Sequence, residues 1–170
     1  MINSFDPIAA SDARVLVLGT IPGRRSLEAG EYYAHPQNAF WFIMENLFAK
    51  RTGGRDYGAR KSLLLGAQVA LWDVLRSADR SGSLDSAIAS GSEIPNDFAG
   101  FFLRHPAIHT VFFNGAKAEA LFRKHVLGTL ASEAGLRLVR LPSTSPANAG
   151  LSRERKLAVW RALPEALAVS

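Results

Sequence analysis

The chain has 170 residues, 48% of them hydrophobic and 21% charged, a size and composition that suit one soluble domain able to bury its own core. It contains no cysteine, which excludes disulfides and thiolate metal sites, and no run near the ~18 continuous apolar residues of a membrane helix. The formal net charge of +5 and sequence pI of about 10.0 are compatible with a polyanionic partner.

Met1 to Asp6 lacks the basic and apolar regions of a signal peptide, so a cytoplasmic location is expected. Arg14 to Leu18 is a short apolar run without alternation, bounded by Gly19 and Pro22. Such a run reads as a strand buried on both faces, as in a parallel sheet. A long polar loop follows. From Asn38 the apolar residues Phe40, Trp41, Met44, Leu47 and Phe48 make a helical stripe. Residues 51–59 are rich in Gly and Arg and read as a loop, with a short helix at about 60–66.

Gln68 to Trp72 is a second buried strand, and His109 to Phe113 a third, closed by Asn114 and Gly115. Between them a short helix fits Leu84 to Ala89, and another fits Asp97 to Arg104, ending before Pro106. Ala116 to Val126 has helical spacing, and Leu136 to Leu141 is a fourth strand. A last helix starts at Ser152, with Leu157, Trp160 and Leu163 on one face and Pro164 disturbing its end. No repeat, low-complexity segment or linker interrupts the chain. Four buried strands alternating with helices predict one α/β domain with a mostly parallel sheet. Ligands of such sheets bind beyond the carboxyl ends of the strands. The polar loops from Gly19, Asn114 and Pro142 follow strands directly, so all three are placed on that edge.

Gly19-Thr20-Ile21-Pro22-Gly23 can turn sharply and leave its amides free to donate. It lacks the spacing of a P-loop or a dinucleotide fingerprint, and taken alone it reads as a plain strand-end turn. Tyr32 to Trp41 brings aromatics, amides and His35 to the entry of a helix. Phe40 and Trp41 lie on the core stripe, and Tyr33 is a candidate to stack on a planar base. Asn38 fits either a helix N-cap or a polar site residue, two roles expected to exclude one another. Asn114 fits a turn or a ligand contact equally well. Leu141 to Asn148 is rich in hydroxyls that can clamp phosphates, or is a solvated turn beside a charged helix. The four histidines form no metal-like set, because Pro106 breaks the face shared by His105 and His109. Asp73 and Asp79 belong to no recognisable acid/base pair.

Taken in order, five stretches resemble the uracil-DNA glycosylase superfamily, in particular its hypoxanthine-DNA (deoxyinosine) glycosylase branch. They are Gly19 to Ser26, His35 to Trp41, Ala70 to Leu75, Phe113 to Gly115, and Leu141 to Asn148. The resemblance implies a three-layer α/β/α fold around a four-stranded parallel sheet, and hydrolysis of the N-glycosidic bond of a deaminated base in DNA. It implies no metal and no organic cofactor. Tyr33 matches an aromatic that stacks on the flipped base, Asn114 a base-contacting position, and Pro142, Ser143, Thr144 and Ser145 a loop that presses on the DNA backbone. Uracil-specific relatives carry Asp or Asn where this chain has Ile21, which cannot handle water. In the hypoxanthine branch the asparagine of His-Pro-Gln-Asn takes a catalytic role, and here that residue is Asn38.

The expected site therefore has Asn38 orienting water and Gly19, Thr20, Ile21, Pro22, Gly23, Tyr33 and Asn114 around the base. Ser26, Pro142, Ser143, Thr144, Ser145 and Arg153 contact DNA, and Leu151 is the wedge that fills the vacated stack. The expected partner is DNA containing a deaminated base, met by a monomer without a membrane, leaving an abasic site without strand cleavage. Two other readings fit the same residues. One is a non-catalytic damaged-DNA or nucleotide-binding module, favoured by Ile21, and the other is a hydrolase of free nucleosides.

Overall fold

The computed structural model describes residues 1–130 and 135–169. Its central sheet holds four parallel strands, β2 (Val15–Gly19), β3 (Val69–Asp73), β6 (Thr110–Asn114) and β7 (Arg137–Leu141), in the order β3-β2-β6-β7. The strands start and finish a residue or so from their predicted positions. Burial on both faces explains their continuous apolar runs. Along β2, Leu16 and Leu18 point into one core while Val15 and Val17 point into the other. β3 divides likewise, with Ala70 and Trp72 on the first side and Val69 and Leu71 on the second.

Helices cover both faces and complete three layers. α4 (Phe98–Arg104) and α5 (Ala116–His125) bring Phe98, Phe101, Leu121 and Phe122 to the first core. α2 (Phe40–Phe48), α3 (Tyr57–Gly66), α6 (Arg153–Trp160) and α7 (Ala162–Leu167) bring Phe40, Ile43, Leu64, Trp160 and Leu163 to the second. Phe40 and Trp41 are core residues, as their spacing predicts. Between α2 and α3, the buried Glu45 carboxylate accepts from Gly53 N at 2.7 Å and from Arg60 Nε at 3.3 Å. Edge strand β7 exposes Arg137 and Arg140, charges that discourage pairing with another chain.

Several elements depart from expectation. The long loop after β2 contains a helix, α1 (Arg24–Ala29), ended by Gly30 in the left-handed conformation. A small antiparallel sheet joins β1 (Ile2–Asn3), β4 (Leu75–Ala78) and β5 (Ile94–Pro95) in the order β1-β4-β5. The expected helix from Leu84 is a single 3₁₀ turn, Asp85–Ala87, and α3 begins at Tyr57 inside the expected loop, capped by the Asp56 side chain. Ser152 caps α6 as expected, its hydroxyl accepting from Arg155 N at 3.2 Å. The break at Arg161 precedes Pro164 rather than following it. Proline lacks the N–H that would reach Trp160 and its ring crowds that carbonyl, so the chain bends one turn upstream. Among the described residues no helix is long and apolar enough to cross a membrane.

Trp160 ties this frame to the loop after β7. Its ring is fully buried and its Nε1 donates to the Pro142 carbonyl at 2.9 Å. Trp160→Ala is expected to lower the unfolding free energy by about 3–5 kcal/mol, measured by urea denaturation.

Candidate active site

The carboxyl ends of β2, β3 and β6 and the loop after β7 surround one cleft of about 610 Å³, within the usual size of a small-molecule site. It lies where the strand order reverses. The chain leaves β2 toward β3 on one side, while β6 lies on the other, and the outgoing loops part to leave a crevice.

At the end of β2, the Gly19 carbonyl accepts from Val74 N at 2.8 Å and the Thr20 carbonyl from Leu75 N at 3.1 Å. The N–H groups of Ile21 and Gly23 have no acceptor among the described residues. Ile21 turns its side chain into the core, so this loop offers the cleft mainly backbone. A Cβ on Gly19 would stand 2.6 Å from Asp73 Oδ1 and 2.7 Å from the Tyr33 hydroxyl, and only glycine fits that close approach.

Tyr33 holds φ of 54°, a left-handed conformation unfavourable by about 1–3 kcal/mol for such a residue. Its neighbours impose it. The Tyr33 ring stacks on Phe40 with centroids 4.2 Å apart, Trp41 Nε1 donates to the Tyr32 carbonyl at 2.8 Å, and Ala34 N donates to Ser26 Oγ at 3.1 Å. One ring face is thereby covered, while Tyr33 also lines the cleft. Burial, with Asp73 nearby, pushes its phenol far above the ordinary value, so the hydroxyl keeps its proton.

Asn38 lines the same cleft, and its Oδ1 accepts from Phe40 N at 2.9 Å. The side chain thus caps α2 although Ala39 occupies the cap position itself. The cap and a site role do not exclude one another as expected. A carboxamide oxygen has a second lone pair, and the NH₂ group is untouched by the cap.

Asn114 closes β6 and is bound at both ends of its amide. Thr144 N donates to Asn114 Oδ1 at 2.9 Å, and Asn114 Nδ2 donates to Thr144 Oγ1 at 2.9 Å. The obligate backbone donor fixes which end is oxygen. The Thr144 carbonyl accepts from Ala39 N at 3.0 Å. Gly115 follows with φ of 96°, and a Cβ there would come 3.0 Å from Ser143 Cβ. Further along, Ser143 Oγ accepts from Ser145 N, Ser145 Oγ accepts from Ala147 N, and the buried Lys156 ammonium donates to the Ser145 carbonyl at 3.2 Å. The loop is internally bonded before any ligand arrives.

Gly19 to Gly23, Ser26, Tyr33, Asn38, Asn114, and Ser143 to Ser145 therefore converge on one cleft. Two expected DNA contacts need correction. Thr144 is 1% exposed, and its amide, carbonyl and hydroxyl oxygen all hold protein groups, so it fastens the loop. Ser26 is also buried, and its hydroxyl positions Ala34. Pro142 lies beside a shallower hollow next to Gly115 and Arg140. Leu151 and Arg153 line neither cavity, and the Arg153 guanidinium sits 4.2 Å over the Phe42 ring.

Asp73, set aside in the sequence, closes β3 inside the cleft at 4% exposure, with Oδ2 lacking any hydrogen-bond partner. The net effect of its surroundings pushes its carboxyl up to about 8, with burial the largest cause. Asp85 also raises it, and Arg80 pulls it back. Asp85 comes from the 3₁₀ turn, whose segment forms another wall with Ser83, Leu84 and Ser86. That wall is held by Arg80, which donates to the Pro22 and Gly82 carbonyls at 2.6 and 2.9 Å, and by Arg24 N, which donates to Ser83 Oγ at 3.0 Å. The signal for Asp73 was its place directly after a buried strand, the rule that found the other three loops. Among the described residues no group of three or more His, Asp or Glu could hold a metal.

Fold and site define an α/β/α protein whose strand-end cleft suits a planar polar ligand, met by an aromatic ring, free amides and a carboxamide. The profile of the Uracil DNA glycosylase superfamily matches residues 5–166. A Hypoxanthine DNA glycosylase of Methanosarcina acetivorans is 31% identical over 164 residues, 95% of this chain and 96% of that one. One from Methanosarcina barkeri is 30% identical over 116 residues, 68% of this chain and 72% of that one. The solution NMR structure of a candidate uracil DNA glycosylase from Methanosarcina acetivorans has a TM-score of 0.77 and 30% identity, covering 96% of this chain and 99% of that one. The chain belongs to the uracil DNA glycosylase superfamily.

Gly19→Ala is expected to destabilise the fold by about 1–3 kcal/mol, because the contacts it meets, Asp73 and Tyr33, are held in place; denaturation by urea measures it. Asp73 predicts a pH effect. Its folded value of about 8 exceeds the ordinary aspartate value of 3.8, so the folded state binds more protons between those limits and loses stability as pH rises through that window. Asp73→Asn lacks this loss. Its melting temperature should gain on the wild type from pH 5 to pH 8, with the gap levelling off above.

Proposed function

We propose that this protein hydrolyses the N-glycosidic bond of a deaminated base in DNA, with hypoxanthine the favoured base, and leaves an abasic site. The observation that carries this reading is the cleft itself. It gathers a stacking ring, unpaired backbone donors and the Asn38 carboxamide around one space of about 610 Å³ at the sheet edge. The relatives named Hypoxanthine DNA glycosylase support the choice of base.

The target nucleotide leaves the helix, with unstacking costing a few kcal/mol. The Phe40–Tyr33 stack extends onto the flipped base. The N–H groups of Ile21 and Gly23 donate to the base and stabilise negative charge growing on it as the bond breaks. Asn114, already bound to Thr144, has one amide hydrogen left for the same task. Asn38, held by Phe40 N, orients a water toward the sugar carbon. An amide is a poor base, so its contribution is placement against an oxocarbenium-like sugar. The water's hydroxyl ends on that carbon and the base departs with a proton. Ser143, Ser145, Pro142 and Arg153 meet the DNA backbone, joined by the exposed Arg24 and Arg25 at the cleft mouth. Leu151 fills the vacated stack. No lysine is assigned as a Schiff-base nucleophile, so the product is a base-free sugar rather than a cut strand.

Duplexes carrying deoxyinosine or deoxyuridine, treated with alkali after incubation, test this directly. The expected result is strand breaks at deoxyinosine and a fall of about 10²-fold with Asn38→Ala. Equal rates for the two proteins would remove Asn38 from the mechanism. Binding to damaged duplex without release of any base would favour a non-catalytic damage reader.

A further inference from the structure

The cleft also carries polar side-chain atoms that the reading above leaves unused. Thr20 Oγ1, the Tyr33 hydroxyl and Asp73 Oδ2 all belong to cleft-lining residues and are buried; Asp73 Oδ2 has no partner, while the Thr20 hydroxyl approaches Asp85 and the Tyr33 hydroxyl approaches Asn114 without closing a hydrogen bond of good geometry. Buried polar atoms are paired in more than nine cases of ten, so three such atoms around one cleft point to a polar edge of a ligand. Asp85 lines the same cleft from the 3₁₀ turn and is only partly buried. The nearby Arg80 leaves its buried Nη1 unpaired.

Deamination changes a base in a way such a site can read. Adenine presents an amino donor beside a ring-nitrogen acceptor. Hypoxanthine presents an oxygen acceptor beside a ring N–H donor, and uracil has the same oxo and N–H pair. A site that offers a donor next to an acceptor therefore fits the deaminated edge and opposes the amino-bearing one. We propose that the Asp73 carboxyl, acting as a hydrogen-bond donor, and the Asp85 carboxylate, acting as an acceptor, together read the oxo and N–H edge of the flipped base. Asp73 is thus a specificity-determining residue, and the inference rests on the glycosylase reading.

Burial raises both carboxyls, and Asp73 is the more enclosed of the two. Asp73 is enclosed by Tyr32 and Tyr33 from the loop before α2, Asp85 from the 3₁₀ turn and Arg80 after β4. Burial and Asp85 favour its neutral form, against Arg80. Asp85 is raised on balance by burial, opposed by the Thr20 hydroxyl, by Arg80 and by Lys117 from the start of α5. Two carboxyl groups sharing a space do not readily both ionise, and the more enclosed Asp73 keeps the proton. Recognition by a buried donor is demanding, because a mismatched edge leaves that donor unpaired.

The test uses wild type, Asp73→Asn and Asp73→Leu, with two measurements on each. Single-turnover release from deoxyinosine duplex is followed from pH 6 to 10. Binding of free hypoxanthine and free adenine is followed by tryptophan fluorescence at pH 6.5, where the ring N–H of hypoxanthine keeps its proton. The expected wild-type rate starts to fall near pH 8, before the base itself ionises. Asp73→Asn, which still donates, should keep its rate within about tenfold and fall only at the higher pH where the base loses its ring proton. Asp73→Leu should lose about 10²-fold and bind hypoxanthine no better than adenine. A Leu variant that still prefers hypoxanthine, or an Asn variant whose rate falls at the same pH as wild type, would overturn the assignment. If no protein releases a base from DNA but hypoxanthine binding follows the pattern above, the edge reading stands and the glycosylase reading fails.

Discussion

The contact on which the site depends is the attachment of Thr144 to Asn114 and Ala39. Three hydrogen bonds join the end of β6, the loop after β7 and the start of α2. Thr144 is almost fully buried, so leaving any of these groups unpaired would cost about 1–3 kcal/mol. Asn38 stands one residue before Ala39, at the far end of a long excursion from β2. Its position is set less by that excursion than by the Thr144 carbonyl. The parallel sheet fixes Asn114, Asn114 fixes Thr144, and Thr144 fixes the start of the helix that Asn38 caps.

Beside this anchor, the cleft holds terms that oppose folding. Tyr33 has a left-handed backbone, Asp73 is an enclosed carboxyl, and several polar atoms lack partners. Stable domains concentrate such features where a ligand resolves them. The double-sided core supplies the compensation, with β2, β3 and β6 buried along their whole lengths and Trp160 and Phe40 filling the helical side. The unfavourable groups lie within one residue of those strand ends or stack on that core, where the frame has least freedom to relax around them.

The sheet was legible because strands buried on both faces leave continuous apolar runs, and strand-end loops of a parallel sheet must share an edge. That inference brought Gly19, Asn114 and Ser143 together correctly. Other elements left no such mark. β1 and β5 have two residues each, too few for a period, and α1 spans six residues without an apolar stripe. Hydroxyls posed a different difficulty. Ser26 and Thr144 look in sequence like Ser143, but they point inward to hold loops, and only the packed chain separates the two kinds. Asp73 has no recognisable acidic partner near it in sequence. Its partner Asp85 comes from a distant turn, and burial rather than spacing gives it significance.

Gly19 has a consequence for how this site could change over time. The space a side chain would need there is already filled by Asp73 and Tyr33, and Asn114 and Thr144 are bound to each other. Three sides of the cleft are therefore interlocked, and a change to one demands matched changes in the others. The segment from Arg80 to Ile88 is different, since it meets the cleft through an irregular turn, the Arg80 side chain and one hydrogen bond from Arg24 N to Ser83. New base preferences are most accessible by lengthening, shortening or recharging that segment. The protein thus combines an inherited chamber with one separately adjustable wall, and divergence among its relatives should be sought there first.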